Sequence, residues 1–195
     1  MSLSFILLLQ GEQIQEAGGE RLSSSSDGIR IQGIRAVLRC EKGETMGKTE
    51  EKYEVIRGTM LWQIAGAFYV RIQGMAKQHG IRLHEEFDEH DGGDTKYIVL
   101  LIDSFPVATC RFYEIDKETV LVGRVVVLPE YRGSGLGRVT VLEAEKWIKE
   151  LGYRKIVIDA RDVAAGFYEK LGFTSGEPLV SDWGNFHCVR MEKNI

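Results

Sequence analysis

From Tyr53 to the end of the chain, the spacing of apolar side chains switches repeatedly between the period of a strand and that of a helix. "YEVIRG", residues 53–58, reads as a short strand. "TMLWQIAGAFYVRIQGMAKQHG" carries Leu61, Ile64, Ala65, Phe68 and Ile72 three and four apart, which predicts a helix that Gly80 ends. "IRLHEEFDEHDGGD" shows no apolar period and reads as an acidic loop. "TKYIVLLID" and "FPVATCRFYEID" are two strands joined by a tight turn near Ser104, and "ETVLVGRVVVLP" is a third, ended by Pro129, which has no N–H for a ladder. The helix that follows buries Val141, Ala144, Ile148 and Leu151 and turns Glu143, Glu145, Lys146 and Glu150 to water, with Gly152 as its stop. "RKIVIDA" is a buried strand, "AAGFYEKLG" a short helix capped by Gly172, and "NFHCVRMEK" a last strand.

This order is an antiparallel meander, then strand–helix–strand, then a helix and a final strand. The strand–helix–strand unit should be a right-handed parallel crossover. The expected class is α/β (α+β), a mixed and mostly antiparallel central sheet with one parallel pair, flanked by helices. Residues 1–52 read differently. "SFILLL" and "GIRIQGIRAVLRC" are strand-like, "GGERLSSSSDG" is a turn-rich loop and "EKGETMGKTEEK" a polar linker. They predict a β-rich N-terminal extension without a functional signal: an added hairpin, a homodimer contact or, at its very start, a remnant of expression. Residues 53–195 form the main domain.

Composition narrows the function classes. A chain of 195 residues, 44% hydrophobic and 28% charged, suits one ordinary globular domain with an appendage. A net charge of −4 argues against a nucleic-acid surface, which needs an excess of Lys and Arg. The three cysteines, Cys40, Cys110 and Cys188, form no CxxC, which fits a reducing cytoplasm better than a disulfide framework. The apolar run Phe5 to Leu9 is too short for a signal core or a membrane span, so no membrane partner is expected.

The sharpest local feature is the alternation of Gly133, Gly135 and Gly137 where a helix is about to start. A phosphate loop would need a Lys after its glycines, and a dinucleotide fingerprint a third glycine where Arg138 stands. What remains is Arg132-x-x-Gly135-x-Gly137 between a strand and a long amphipathic helix. Free N–H groups and the helix dipole favour an anion there, glycine lets it approach the backbone, and Arg132 and Arg138 can pair with phosphate. A diphosphate fits; so does a plain glycine-rich turn with two surface arginines.

"VVVLPEYRGSGLG" followed by "AAGFYEKLGF" resembles the GNAT superfamily of acyl-CoA-dependent N-acyltransferases over residues 53 to 193, in the order and spacing that family uses. It resembles in particular a small bacterial subgroup whose acceptors are mostly unassigned. The resemblance implies the acyl-CoA N-acyltransferase fold, with the parallel pair splayed apart. It implies that Arg132, Gly133, Ser134, Gly135, Leu136, Gly137 and Arg138 cradle the pyrophosphate of acetyl-CoA, and that Val125, Val126 and Val127 pair with the pantetheine arm. Tyr168 would sit beside the coenzyme sulfur as both a binding and a catalytic residue. The family often places Asn seven residues before that Tyr; here the position is Arg161.

The expected reaction is direct attack of a primary amine, on a small-molecule acceptor, on the thioester of acetyl-CoA in a ternary complex, with no metal. The amine must first lose a proton. Glu85, Glu86, Asp88 and His187 are the candidate bases, beside the readings of a solvated acidic loop and a structural histidine. The Val127 N–H is the candidate oxyanion donor. Arg124 points into the acceptor site or pairs with the acidic loop. "HEEFDEHDGGD" matches no closed zinc spacing. The alternative to an enzyme is a coenzyme A-binding regulatory or interaction module without turnover. A nucleotide-binding protein is a third reading, which the missing Lys disfavours.

Overall fold

The computed structural model describes residues 34–36, 53–179 and 186–195. Among these, eight strands form one sheet in the order β1-β2-β3-β4-β5-β6-β8-β7. The strands are β1 (Ile34–Ala36), β2 (Tyr53–Gly58), β3 (Lys96–Ile102), β4 (Phe105–Glu114), β5 (Thr119–Val127), β6 (Lys155–Arg161), β7 (Thr174–Leu179) and β8 (Cys188–Asn194). The helices are α1 (Leu61–Arg71), α2 (Lys77–His79), α3 (Leu83–Glu86), α4 (Leu136–Glu150) and α5 (Ala165–Glu169). All strand pairs are antiparallel except β5 with β6, joined through α4. The mixed, mostly antiparallel sheet with one parallel pair is the class the periodicity predicts. The extension expected over residues 1–52 lies outside the described residues, apart from β1, which pairs with β2.

Strand alternation divides the sheet into two apolar faces. One carries Ile98, Leu100, Ala108, Cys110, Phe112, Val120, Val122, Ile156 and Ile158 and is covered by Val141, Ala144 and Ile148 of α4 together with α5. The other carries Ile56, Tyr97, Val99 and Leu101 against Ala67 of α1, and a smaller cluster joins Val70 of α1 to Val126 and Leu128. Burial pushes the Cys110 thiol up to about 12, so it behaves as an apolar packing group.

Several local expectations change. The predicted stripe of α1 is rotated: Leu61 is 85% exposed, while Gln63, Ala67, Val70 and Arg71 are buried. The reason is a buried arginine that a polarity pattern assigns to water, together with a π-helical turn at Ile72–Ala76 that interrupts the helix before α2. That turn brings Gly74 against β5, where a Cβ would stand 2.7 Å from Val126 Cγ1. On α4, Leu151 is the half-exposed cap rather than core, and Glu145 is buried between Lys149 and Lys193, whose ammonium groups lie 2.8 and 2.7 Å away. Strand β7 is an additional element. Its "TSGEPL" lacks an apolar period, and Pro178 is tolerated because β7 is an edge. The acidic "loop" contains α3 and a 3₁₀ turn at Glu89–Asp91, with Glu86 fully buried.

Ile148 is fully buried at the centre of the α4 face. Ile148→Ala should lower stability by about 2–5 kcal/mol. This would be read as a lower urea midpoint at unchanged m-value.

Candidate active site

β5 and β6 pair only over Thr119–Leu121 with Lys155–Val157. Beyond Leu121 the two strands are unpaired. The cause lies on the other edge of β5. Thr109 pairs with Val126 and Arg111 with Gly123, so Arg124 and Val125 together oppose Cys110 alone. This is a β-bulge, and Arg124 sits in it at φ 51°. A non-glycine residue in that region is strained. Side-chain contacts hold it: Arg124 Nε donates to the Glu86 carbonyl at 3.1 Å and Nη2 to Asp88 Oδ2 at 3.1 Å.

The split opens a cavity of about 400 Å³. Val125 and Val126 form its β5 wall, Ile158, Asp159, Ala160 and Arg161 its β6 wall, and Tyr168 of α5 closes one side. The cavity floor includes Gly123 and Arg124, and Cys188 and Arg190 line it from β8. Beyond β5, the Leu128 N–H donates to the Val107 carbonyl. Antiparallel alternation then turns the N–H and C=O of Val127 away from β4, toward the split. The carbonyl accepts from Arg132 Nε at 3.0 Å.

Beside the end of β5 stands the start of α4, where a Cβ on Gly137 would lie 3.6 Å from Val127 Cγ2. Its N-cap is Gly135 at φ 90°, no side chain caps it, and Gly133 has φ 79°. A Cβ at Gly133 or Gly135 would meet nothing within 4 Å, so these glycines answer backbone conformation and leave open space in front of the first helical turn. The N–H groups of Leu136, Gly137 and Arg138 have no backbone acceptor among the described residues. Ser134 Oγ donates to the Tyr131 carbonyl at 2.6 Å. The Arg132 side chain turns the other way, and its Nη2 donates to the Gly74 carbonyl at 3.2 Å and to Gln78 Oε1 at 2.7 Å. It ties the loop to the π-helical turn. These residues fit a pyrophosphate-bearing ligand by two observations: an uncapped helix start and an open glycine surface before it.

Tyr168 is 7% exposed and packs edge-on against Phe167 and Phe173. Burial, and then the nearby Cys110, push its phenol well above the usual tyrosine range. It stays protonated at neutral pH, and its hydroxyl makes no hydrogen bond among the described residues. His187 is exposed; its carbonyl accepts from the Asp162 N–H at 2.9 Å, and its side chain is not part of the cavity wall.

Glu86 and Asp88 are brought together, but inside an arginine network. Arg71 Nε donates to Glu86 Oε1 at 2.7 Å, and Arg71 and Arg111 both bind Asp91. Arg111 makes a two-pronged pair with Asp88 at 2.7 and 2.6 Å. Tyr97 donates to Asp91 Oδ1 at 3.0 Å. Burial raises the Glu86 carboxyl against the pull of Arg71 and Arg124, and Glu86 Oε2 is buried without a partner. Burial acts upward on Asp88 as well, but the hydrogen bonds and charge of Arg111 hold it below its ordinary value. The partners Arg71 and Arg111 are the residues that sequence reasoning missed. The signal available was an arginine inside the apolar run "VATCRFY". Of the two histidines in the acidic segment, His90 stacks on Tyr113 at 4.0 Å between ring centres.

The comparisons agree with this geometry. The model of the acetyltransferase (GNAT) family matches residues 59–173. A candidate acetyltransferase of Bacillus subtilis (strain 168) is 36% identical over 119 residues, covering 60% of this chain and 80% of its own. Among solved structures, a candidate N-acetyltransferase from Lactobacillus plantarum superposes with a TM-score of 0.68 at 28% identity, over 73% of this chain and 97% of that one. The PaiA N-acetyltransferase of Thermoplasma acidophilum, solved in complex with coenzyme A, shares the fold at a TM-score of 0.56 and 19% identity, over 73% of this chain and 99% of that one. The chain belongs to the acetyltransferase (GNAT) family. Among the described residues, no helix is long and apolar enough to cross a membrane.

The ion network gives a pH prediction. Burial would raise the Asp91 carboxyl, but hydrogen bonds from Arg71 and Arg111 and their charges hold it well below the usual carboxylate range. A depressed folded-state pKa adds stability that is present above the unfolded value, near 3.9, and is lost as pH falls below it. Asp91→Asn should therefore be less stable than wild type at pH 7, with the gap closing below about pH 4. Urea midpoints between pH 7 and 3 check this; a gap independent of pH would contradict it.

Proposed function

We propose that the protein transfers an acetyl group from acetyl-CoA to a primary amine of a small-molecule acceptor, by direct attack in a ternary complex. The observation that carries this reading is the loss of β5–β6 pairing beyond Leu121 beside an uncapped α4 start. The pyrophosphate would lie on the N–H groups of the Gly133–Arg138 turn, and the pantetheine arm would run along Val125–Val127. The Val127 N–H, turned toward the split, would donate to the oxyanion. The amine nitrogen attacks the thioester carbon, the C–S bond breaks, the thiolate takes the proton of Tyr168, and Tyr168 regains a proton from solvent in the cleft. The hydroxyl's lack of a partner among the described residues supports that role; its raised pKa keeps the proton in place at pH 7 and makes it a weak donor, which fits a modest effect on the rate.

Glu86 and Asp88 are assigned to holding Arg124 in the bulge, since each already serves an arginine. His187, whose side chain is outside the cavity wall, has no role in this scheme. The proton released by the amine then leaves through solvent in the cleft.

Gly135→Val places a branched side chain at φ 90° in front of the first helical turn. It should abolish coenzyme A binding by calorimetry, and unchanged affinity would sink the cradle assignment. Tyr168→Phe should lower kcat by about tenfold, at or below the low end of general-acid effects because a thiolate with a pKa near 8.5 already leaves well. The KM for acetyl-CoA should change little. Full kcat in that variant, followed by thiol release with an accepted amine, removes Tyr168 from the chemistry.

A further inference from the structure

The second substrate can be narrowed from the wall opposite Tyr168, on the premise of the acyl-transfer reading above. Along β6, Ile156, Ile158 and Ala160 point into the main core, so Val157, Asp159 and Arg161 face the other side of the sheet. Asp159 stands in register with Arg190 of β8. The two form a two-pronged ion pair, with Arg190 Nε and Nη2 at 2.8 and 3.0 Å from the carboxylate oxygens. Their side chains remain 34% and 42% exposed, and both line the cavity.

Among the described residues, charge in and around the cavity does not cancel. Arg71, Arg111 and Arg124 are matched by Glu86, Asp88 and Asp91. Arg190 is matched by Asp159. Arg161 forms no ion pair with any described residue. Its guanidinium lies 4.0 Å from the centre of the Phe186 ring, which in turn meets His79 edge-on. Burial, and then the charges of Arg161 and Arg132, lower the His79 pKa, so this ring adds no second positive charge beside Arg161. The cavity wall thus offers the Asp159–Arg190 pair and, two residues along the same strand face and about 7 Å from Asp159 at the Cα atoms, a guanidinium with no ion-pair partner among the described residues.

We infer that the acceptor is an α-amino acid or a close analogue, with its carboxylate held by Arg161 and its amino group presented beside the Asp159–Arg190 pair. Asp159 already has Arg190, so a simple alkyl amine leaves the guanidinium of Arg161 without an ion-pair partner among the described residues, in a cleft that substrate dries. An amine with a carboxylate on the neighbouring carbon supplies that partner. A planar guanidinium suits a carboxylate with two parallel hydrogen bonds, and its stacking on Phe186 holds that plane fixed.

The test uses the full chain, acetyl-CoA and matched pairs: phenylalanine with phenethylamine, tyrosine with tyramine, methionine with 3-(methylthio)propylamine. Release of coenzyme A thiol and binding of coenzyme A are both followed. At least one amino acid should show a kcat/KM ten or more times that of its decarboxylated partner. Arg161→Gln should erase that preference by raising KM for the acid tenfold or more, with coenzyme A affinity unchanged, and Arg161→Lys should restore part of it. Equal or faster turnover of the plain amines overturns the proposal. So does an Arg161→Gln variant that loses coenzyme A affinity while its acid-to-amine ratio stands, which would assign Arg161 to the coenzyme. Turnover of no member of any pair, by a protein that binds coenzyme A, also counts against it. A wild type that does not bind coenzyme A overturns the acyl-transfer reading itself, and this inference falls with it.

Discussion

The molecule depends on one irregularity in an otherwise regular sheet: two residues of β5, Arg124 and Val125, stand opposite one residue of β4. Without it, β5 and β6 would continue their parallel ladder and the space between them would close. With it, pairing stops at Leu121 and the backbone of β5 turns toward an open cleft. The bulge carries a backbone cost, since Arg124 occupies a region that L-residues avoid. That cost is offset outside the sheet, by the carbonyl of Glu86 and the carboxylate of Asp88. A segment that looks like surface loop therefore shapes the cleft from below.

The buried charges follow from the same requirement. Three arginines and three carboxylates lie between α1, the acidic segment and β4, with Arg71 and Glu86 fully buried. Burying ions is costly, and removing one partner leaves a charge with no counterpart. Such a network has few alternative arrangements, which suits a scaffold that must keep one strained residue in place. Arg132 fixes the opposite end of the cleft. It joins the carbonyl of Val127 to the π-helical turn, so the glycine-rich loop before α4, β5 and the helix that follows α1 are tied at one side chain.

Much of this was legible before the structure. Periodicity placed β2 to β6, α4, α5 and β8, because each buries one face and shows it as spacing. The glycines at 133 and 135 marked a turn before a helix; that both stand at positive φ is what the structure adds. What failed to show did so for physical reasons. Strand β7 is an edge with little to bury, so no alternation marks it. The α1 stripe was misphased because Arg71 reads as solvent-facing until its partners, 15 and 20 residues along the chain, are brought to it. Glu86 and Asp88 were read as site residues for their charge; the structure gives them arginine partners on α1, β4 and β5. The bulge left no trace in "GRVVV", since a register shift belongs to a pair of strands and not to either one.

The central claim is that the split beside α4 binds coenzyme A through its pyrophosphate. A thermal melt of the full chain with acetyl-CoA, coenzyme A, ATP and NAD in parallel tests it most directly. A ligand at a hundred times its Kd stabilises by about 2.7 kcal/mol, a shift of about 5–11 °C for a chain of this size. The account predicts that shift with acetyl-CoA and coenzyme A and not with ATP or NAD. A shift with ATP or NAD instead, or with none of the four, would contradict it.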